Sequence, residues 1–164
     1  VKENKNHFLQ NKFKQWSMQF RENNLTGIDW KCLSALFEKI GWGYRSPENI
    51  EKAFRASSHT CIINNDRNEP IAFGRTVDDG IYYALLVDVV VHPDFQGQGL
   101  GRKIVENLKS KLIGYNFITL TAAPEKEGFY EKMGWKRQKS AYIWPKDEKQ
   151  TMLHCHKEDE NNIA

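Results

Sequence analysis

The sequence predicts an α+β (mixed α/β) fold carried by one domain, and three observations predict it. Ile81 to Val91 is a β-branched run whose main polar interruption is Asp88, as expected of a central strand covered on both faces. Directly after it, Gln96-Gly97-Gln98-Gly99-Leu100-Gly101 makes a glycine turn into the amphipathic segment Arg102 to Ile113. Segments of helical period occupy residues 29–40 and 46–57, ahead of the strand-like runs. With 164 residues, 40% of them hydrophobic and 12% aromatic, one domain spanning 1–164 has apolar surface enough for a proper core. Residues 1–16 and 157–164 are expected to be peripheral or frayed.

Taken in order, residues 1–24 are rich in Lys, Asn and Gln yet carry several large apolar side chains. Two readings compete there. Leu9, Phe13, Trp16 and Phe20 are spaced by three or four, as on a helix; alternatively Ser17 to Glu22 is an edge strand with Met18 and Phe20 turned inward. Asp29 is a natural N-cap for a helix through Ile40, with Trp30, Leu33, Leu36, Phe37 and Ile40 on one face and Gly41 as the stop. Ser46-Pro47 starts a second helix to about Ser57, since proline at the first helical position gives up an N–H that would be unpaired anyway. Between these helices lies Gly41-Trp42-Gly43-Tyr44-Arg45, an aromatic loop flexed by glycine. Two strands follow, Thr60 to Asn64 and Ile71 to Val77, separated by the Asn/Asp/Pro-rich turn 65–70. Asp78-Asp79-Gly80 turns the chain into the central strand.

Beyond the glycine turn, Leu100, Ile104, Val105, Leu108 and Leu112 form the apolar stripe of a helix that packs on the sheet. Phe117 to Thr121 reads as a short strand, Pro124 to Met133 as a helix, and Trp135 to Arg137 as extended chain. Tyr142 to Trp144 and Met152 to His156 read as a terminal strand pair joined by 145–150.

The glycine turn carries the chemistry. A strand that runs through glycines into a helix leaves unpaired backbone N–H groups at the positive end of the helix dipole, which is an anion site made of backbone alone. Side chains at those glycines would obstruct a phosphate, and some positions in such a turn need positive φ. The spacing excludes two familiar phosphate loops. A dinucleotide fingerprint reads G-x-G-x-x-G with an acid about 20 positions on, whereas Thr121 stands where that acid would be. A P-loop needs Gly-Lys-Ser/Thr, which Arg102-Lys103-Ile104 does not supply. What remains is Q/R-x-x-G-x-G, filled by Gln96, Gly99 and Gly101.

That motif resembles the pyrophosphate-binding motif of GNAT-type N-acetyltransferases. The strand Leu85 to Val91, the break His92-Pro93-Asp94 and the later Gly128-Phe129-Tyr130-Glu131-Lys132-Met133-Gly134-Trp135 share the order and spacing of that family. The resemblance covers roughly Ile62 to Trp135 and is weak before Ile28. It implies a mostly antiparallel twisted sheet of six to seven strands with a splayed middle pair, flanked by about four helices, and acetyl-CoA as co-substrate. Cofactor contacts are implied at Val89, Val91, Gln96, Gly97, Gln98, Gly99, Leu100, Gly101, Arg102 and Phe129, with Val89 and Val91 free to pair with the pantetheine amides. Tyr130 matches the tyrosine that many members place near the coenzyme sulfur, where a phenol can protonate a departing thiolate. The backbone N–H near Val89 would polarise the carbonyl.

Asp88 is the one carboxylate within the central strand, and two roles stay open for it. Flanked by valines it suits a general base; it could equally anchor a neighbouring loop. The loop between the first two helices borders the acceptor pocket in the family, which points to Trp42 and Tyr44; Tyr82 and Tyr83 at the strand start are expected at the same mouth. Apolar walls and aromatic faces suit a small primary amine, and the overall resemblance leans to members acting on arylalkylamines. Two alternatives remain open: transfer to a macromolecule (a protein N-terminus or lysine, or aminoacyl-tRNA), and a non-catalytic acyl-CoA-binding module. A homodimer is open as well.

Composition constrains the rest. A net charge of +3 is too slight to argue for nucleic acid as a partner. Cys32, Cys61 and Cys155 are odd in number and far apart, which indicates reduced thiols in a cytoplasmic protein rather than disulfides or a zinc ribbon. No apolar run has the length of a membrane span. The implied chemistry requires no metal, and His154 and His156 on a strand would lack further ligands.

Overall fold

The computed structural model describes residues 18–156, and within them five strands form one sheet in sequence order. They are β1 (Gln19–Glu22), β2 (Thr60–Asn64), β3 (Pro70–Asp78), β4 (Tyr83–Val91) and β5 (Phe117–Leu120). β1 to β4 pair antiparallel and β4 pairs with β5 in parallel. A parallel pair needs a crossover, and helix α3 (Leu100–Lys111) supplies it. Helices α1 (Trp30–Lys39) and α2 (Pro47–Arg55) lie between β1 and β2 in the chain. Both start as the caps predict. The Asp29 carboxylate accepts from the amides of Lys31 and Cys32, and the Ser46 hydroxyl from that of Asn49. Gly41, at φ +83°, takes the chain off α1.

Alternation along β3 distributes the core to two faces. Phe73 joins Leu33, Leu36 and Phe37 of α1, Ile50 and Phe54 of α2, and Val90 of β4 in one buried cluster. Gly74, the next residue, faces the opposite side. A side chain there would meet Ile104 Cγ2 at 2.6 Å and Leu108 Cδ1 at 3.1 Å, so the missing Cβ is what lets α3 lie close on the sheet.

Opposite Gly74 the register slips. Phe73 faces Val90 and Arg75 faces Val87, so two steps on β3 match three on β4. The extra residue makes a bulge in which Asp88 has φ +54°, an uncommon conformation for a residue with a side chain. β4 is also less covered than its apolar run predicts. Ala84, Leu86 and Val90 are buried, but Leu85, Val87, Asp88, Val89 and Val91 are half-buried and Tyr83 is exposed. β5 pairs with β4 only from Tyr83 to Leu86.

Several expectations are corrected. Of the two readings the strand holds, over Gln19–Glu22, but Phe20 is 40% exposed rather than inward. Leu9, Phe13 and Trp16 lie outside the described residues. The six or seven strands expected are five among the described residues, because neither 135–137 nor 142–144 pairs into a sheet. Of the strand expected over 152–156, residues 152–154 are helix: the Asp147 side chain accepts from the Gln150 amide and caps α5 (Glu148–His154). The predicted helix 124–133 shortens to α4 (Glu127–Glu131). Contacts divide the chain into a unit ending at Leu120, which holds the sheet and α1 to α3, and a unit from Thr121 onward, which holds α4 and α5.

Candidate active site

The first unit brings the glycine turn and the end of β4 together. The His92 amide donates to the Ile71 carbonyl at 2.7 Å, so by the alternation of an antiparallel ladder the N–H and C=O of Val91 face away from β3. They face the side on which β5 has already ended. The edge from Val87 to Val91 therefore has no paired strand on that side. Pro93–Phe95 forms a 3₁₀ turn that carries the chain to Gln96. Gln96 then turns back, its Nε2 donating to the Val91 carbonyl at 3.2 Å.

Gly97 and Gly99 sit at φ +76° and +78°, where a side chain is strained. Gly99 is the N-cap of α3 and has no side chain with which to cap it. The amides of Gly99, Leu100, Gly101 and Arg102 thus face outward at the positive end of the helix; the first helical bond runs from Lys103 to the Gly99 carbonyl at 3.0 Å. A Cβ at Gly97 or Gly99 would meet nothing within 4 Å, so the space above the turn is open to a ligand. Arg102 is turned along the helix to Glu106, at 3.2 Å. Gly101 lies inside the first turn of α3, and its backbone gives no reason of its own for glycine.

Asp88 is not alone. Arg45 Nη1 donates to Oδ1 at 2.8 Å and Arg75 Nε to Oδ2 at 2.6 Å, with the Asp88 side chain only 9% exposed. Both oxygens are held by arginines, and Arg45 belongs to the 41–45 loop, so Asp88 ties that loop to the bulge. A cavity of about 390 Å³ opens beside the pair, lined by Phe37, Tyr44, Ile50 and Phe54 as well as Arg45 and Asp88.

Of the four aromatics expected at the acceptor mouth, the structure brings one to this cavity, Tyr44. Trp42 stands behind it against Phe37, with ring centroids 6.0 Å apart. Tyr82 and Tyr83 are exposed at the other end of β4, Tyr83 beside Phe117 at 6.0 Å. The Asp79 carboxylate fixes them there by accepting from the amides of Ile81, Tyr82 and Tyr83. Sequence reasoning missed Arg45, Arg75, Phe37 and Gly74. For Arg45 a signal existed, since it directly follows the aromatic loop. A larger cavity of about 750 Å³, lined by Asn23 to Ile28 with Trp30, Glu51 and Arg55, contains none of the expected site residues.

In the second unit, Tyr130 lies edge-on between Phe129 and Trp135, at centroid distances of 4.9 and 6.5 Å. Burial pushes its phenol above the ordinary tyrosine value, so it stays protonated. Thiol nucleophiles are poorly placed: burial pushes Cys61 up to about 12, and burial with the Asp29 carboxylate pushes Cys32 up to about 11. All three cysteines are free. Among the described residues no group of three or more His, Cys, Asp or Glu side chains could hold a metal ion, and no helix is long and apolar enough to cross a membrane.

This combination of bulged open strand, glycine turn and helix start agrees with comparison to known proteins. The sequence matches the acetyltransferase (GNAT) domain family over residues 14–143. The chain belongs to the GNAT acetyltransferase family. Among its relatives is serotonin N-acetyltransferase 2, chloroplastic, of Oryza sativa subsp. japonica, 35% identical over 67% of this chain and 58% of that protein. Another is GCN5-related N-acetyltransferase 1, chloroplastic, of Arabidopsis thaliana, 32% identical over 66% of this chain and 57% of that protein. The chain thus spans a little under three fifths of the length of these two relatives. A GNAT-family acetyltransferase from Streptococcus pneumoniae TIGR4 shares the fold at a TM-score of 0.65 and 22% identity, over 80% of this chain and 99% of that one. GNAT proteins use acetyl-CoA as co-substrate.

Proposed function

We propose that this domain transfers the acetyl group of acetyl-CoA to the primary amine of a small molecule, by direct attack in a ternary complex. The observation that carries the reading is the junction of the open Val87–Val91 edge with the outward amides of Gly99 to Arg102, tied by the Gln96–Val91 bond. Acetyl-CoA supplies an acetyl thioester: the amine nitrogen forms the new C–N bond, the C–S bond breaks, and the thiolate takes up a proton.

The chain's residues divide the remaining work. The backbone from Gly97 to Arg102 holds the pyrophosphate anion at the helix start. Backbone groups of Val89 and Val91 pair with the amide-bearing arm, and the N–H near Val89 polarises the carbonyl. The family resemblance assigns Phe129 to the coenzyme as well. Tyr130, kept protonated by burial, gives its proton to the leaving sulfur. Asp88 lines the acceptor cavity and is the candidate to take up the amine's proton, a role that requires Arg45 to release Oδ1, since in the structure Arg45 and Arg75 hold both oxygens. The three free thiols suit a reducing compartment.

The name of the rice relative favours a small amine acceptor, and the cavity beside Asp88 has the size for one. The test is acetyl-CoA turnover with tryptamine-like, polyamine, aminoglycoside and peptide N-terminal acceptors, in wild type and Trp42→Ala. A tryptamine-like amine is expected to turn over best. Turnover confined to peptides or RNA would refute the small-molecule acceptor.

A further inference from the structure

Arg45 places a cation of the chain's own inside the cavity. Its guanidinium carbon lies 4.1 Å from the Phe37 ring centroid and 5.9 Å from that of Trp42, while Nη1 donates to Asp88 Oδ1 at 2.8 Å. Aromatic faces together with one oxygen of a buried carboxylate are what an alkylammonium would need. The carboxylate does not depend on Arg45 alone. Arg75 holds Oδ2 at 2.6 Å, also donates to Ser57 Oγ at 3.3 Å, and is itself only 16% exposed.

Arg45 can leave this seat without moving the loop. Its carbonyl accepts from the hydroxyl of buried Ser34 at 2.6 Å, and the next residue, Ser46, is fixed as the cap of α2. The side chain, by contrast, is 40% exposed. Ile50, Ala53 and Phe54 continue the cavity as an apolar wall.

We propose that Arg45 sits in the place of the acceptor's ammonium group, and that the acceptor is a monocationic amine with an apolar body, which displaces the guanidinium from Asp88 Oδ1 beside the Phe37 ring. The proposal rests on the acetyl-transfer reading for its word acceptor, but the seat itself is a binding property. A polycation would want further carboxylates, and among the described residues Asp88 is the only one lining this cavity. An acceptor bearing a carboxylate would use Arg45 as its anchor, which reverses the expected effect of removing it.

The experiment is calorimetric titration of N,N-dimethyl-2-phenylethylamine, a protonated tertiary amine with one N–H that forms no stable amide, into wild type, Arg45→Met and Arg45→Lys. Met keeps aliphatic bulk against Phe37 without the charge, whereas Lys keeps a competing cation. Freed of competition, Arg45→Met should bind the probe about 3- to 10-fold more tightly than wild type, with Arg45→Lys within about twofold of wild type. Equal or weaker binding by Arg45→Met, or an equal gain in Arg45→Lys, overturns the proposal. Turnover of 2-phenylethylamine by wild type separates the two readings. If it is absent while the probe still prefers Arg45→Met, acetyl transfer to small amines fails and the cation seat stands; if it is present without that preference, the seat alone fails.

Discussion

The Gln96 side chain donates to the Val91 carbonyl at 3.2 Å, which ties the glycine turn to the last residue of β4. The anion-binding amides and the open strand edge are therefore positioned by one short segment, residues 91–100, and a change in the backbone of that segment reaches both.

Gly99 is where such a change is most exposed, because it caps α3 at φ +78°. For the wild type, acetyl-CoA at 100 times its dissociation constant should add about 2.7 kcal/mol of stability. Gly99→Val forces a β-branched residue into the left-handed region and should remove that gain. Thermal melts with and without ligand check it, and a retained shift in the valine variant would show that the turn does not bind the coenzyme.

Gly74→Ala tests the same site from beneath. The added methyl group would stand 2.6 Å from Ile104 Cγ2, so the Ile104 side chain or the helix that carries it must shift. Overpacking of this kind costs about 1–3 kcal/mol. Because the start of α3 carries the anion site, acetyl-CoA affinity should fall along with the denaturation midpoint. Loss of stability with unchanged affinity would mean that the helix start does not contact the ligand.

Tyr130→Phe removes a hydroxyl while leaving the ring between Phe129 and Trp135. As general acid the hydroxyl should be worth about 10² to 10⁴ in kcat, with coenzyme affinity preserved. Burial raises its pKa, so the phenol is protonated throughout the neutral range and the loss should not depend on pH there. Steady-state kinetics from pH 6 to 9 decide it, and full activity in the variant would remove Tyr130 from the mechanism.

What the sequence disclosed, and what it hid, follows from the range of each interaction. Asp29, Ser46 and Pro47 set α1 and α2 through contacts a few residues long, and the glycines of the turn state their own backbone requirement; all of these were legible. Asp88 read as a lone acid because its partners are 43 and 13 residues away in sequence. Gly74 read as one more strand residue, since its reason is a helix that begins 26 positions later, at Leu100. Tyr82 and Tyr83 were assigned to the acceptor mouth, and it is the Asp79 turn and Phe117 of β5 that hold them at the opposite strand end. Tyr142-Ile143-Trp144 has the composition of a strand, but Asp147 starts a helix where its partner strand was expected.

Asp78 makes the stability of the sheet depend on pH. It ends β3, and its carboxylate accepts from Ser58 Oγ at 2.9 Å, Thr76 Oγ1 at 2.8 Å, the Tyr115 hydroxyl at 2.9 Å and the Gly80 amide at 3.1 Å, joining the approaches to β2, β4 and β5. Burial alone would raise this carboxyl, but the hydrogen bonds from Thr76, Ser58, Tyr115 and Gly80 favour its charged form and hold it below the ordinary value of 3.8. A carboxyl depressed on folding contributes stability that is fully present above its unfolded pKa and is lost as pH falls through the folded one. The contribution therefore stands at neutral pH and disappears below about pH 4, as the carboxylate is protonated. Asp78→Asn keeps one acceptor oxygen but no charge, so it should be less stable than wild type at pH 7 by about 1–2 kcal/mol, the scale of hydrogen bonds to a charged group that is partly solvated. Asp29 and Glu22, also held low, titrate alike in both proteins, so the difference between them isolates Asp78. Urea midpoints measured from pH 7 to pH 2 should converge in the acid range; curves that remain parallel to pH 2 would show that the Asp78 charge does not contribute to holding these strands.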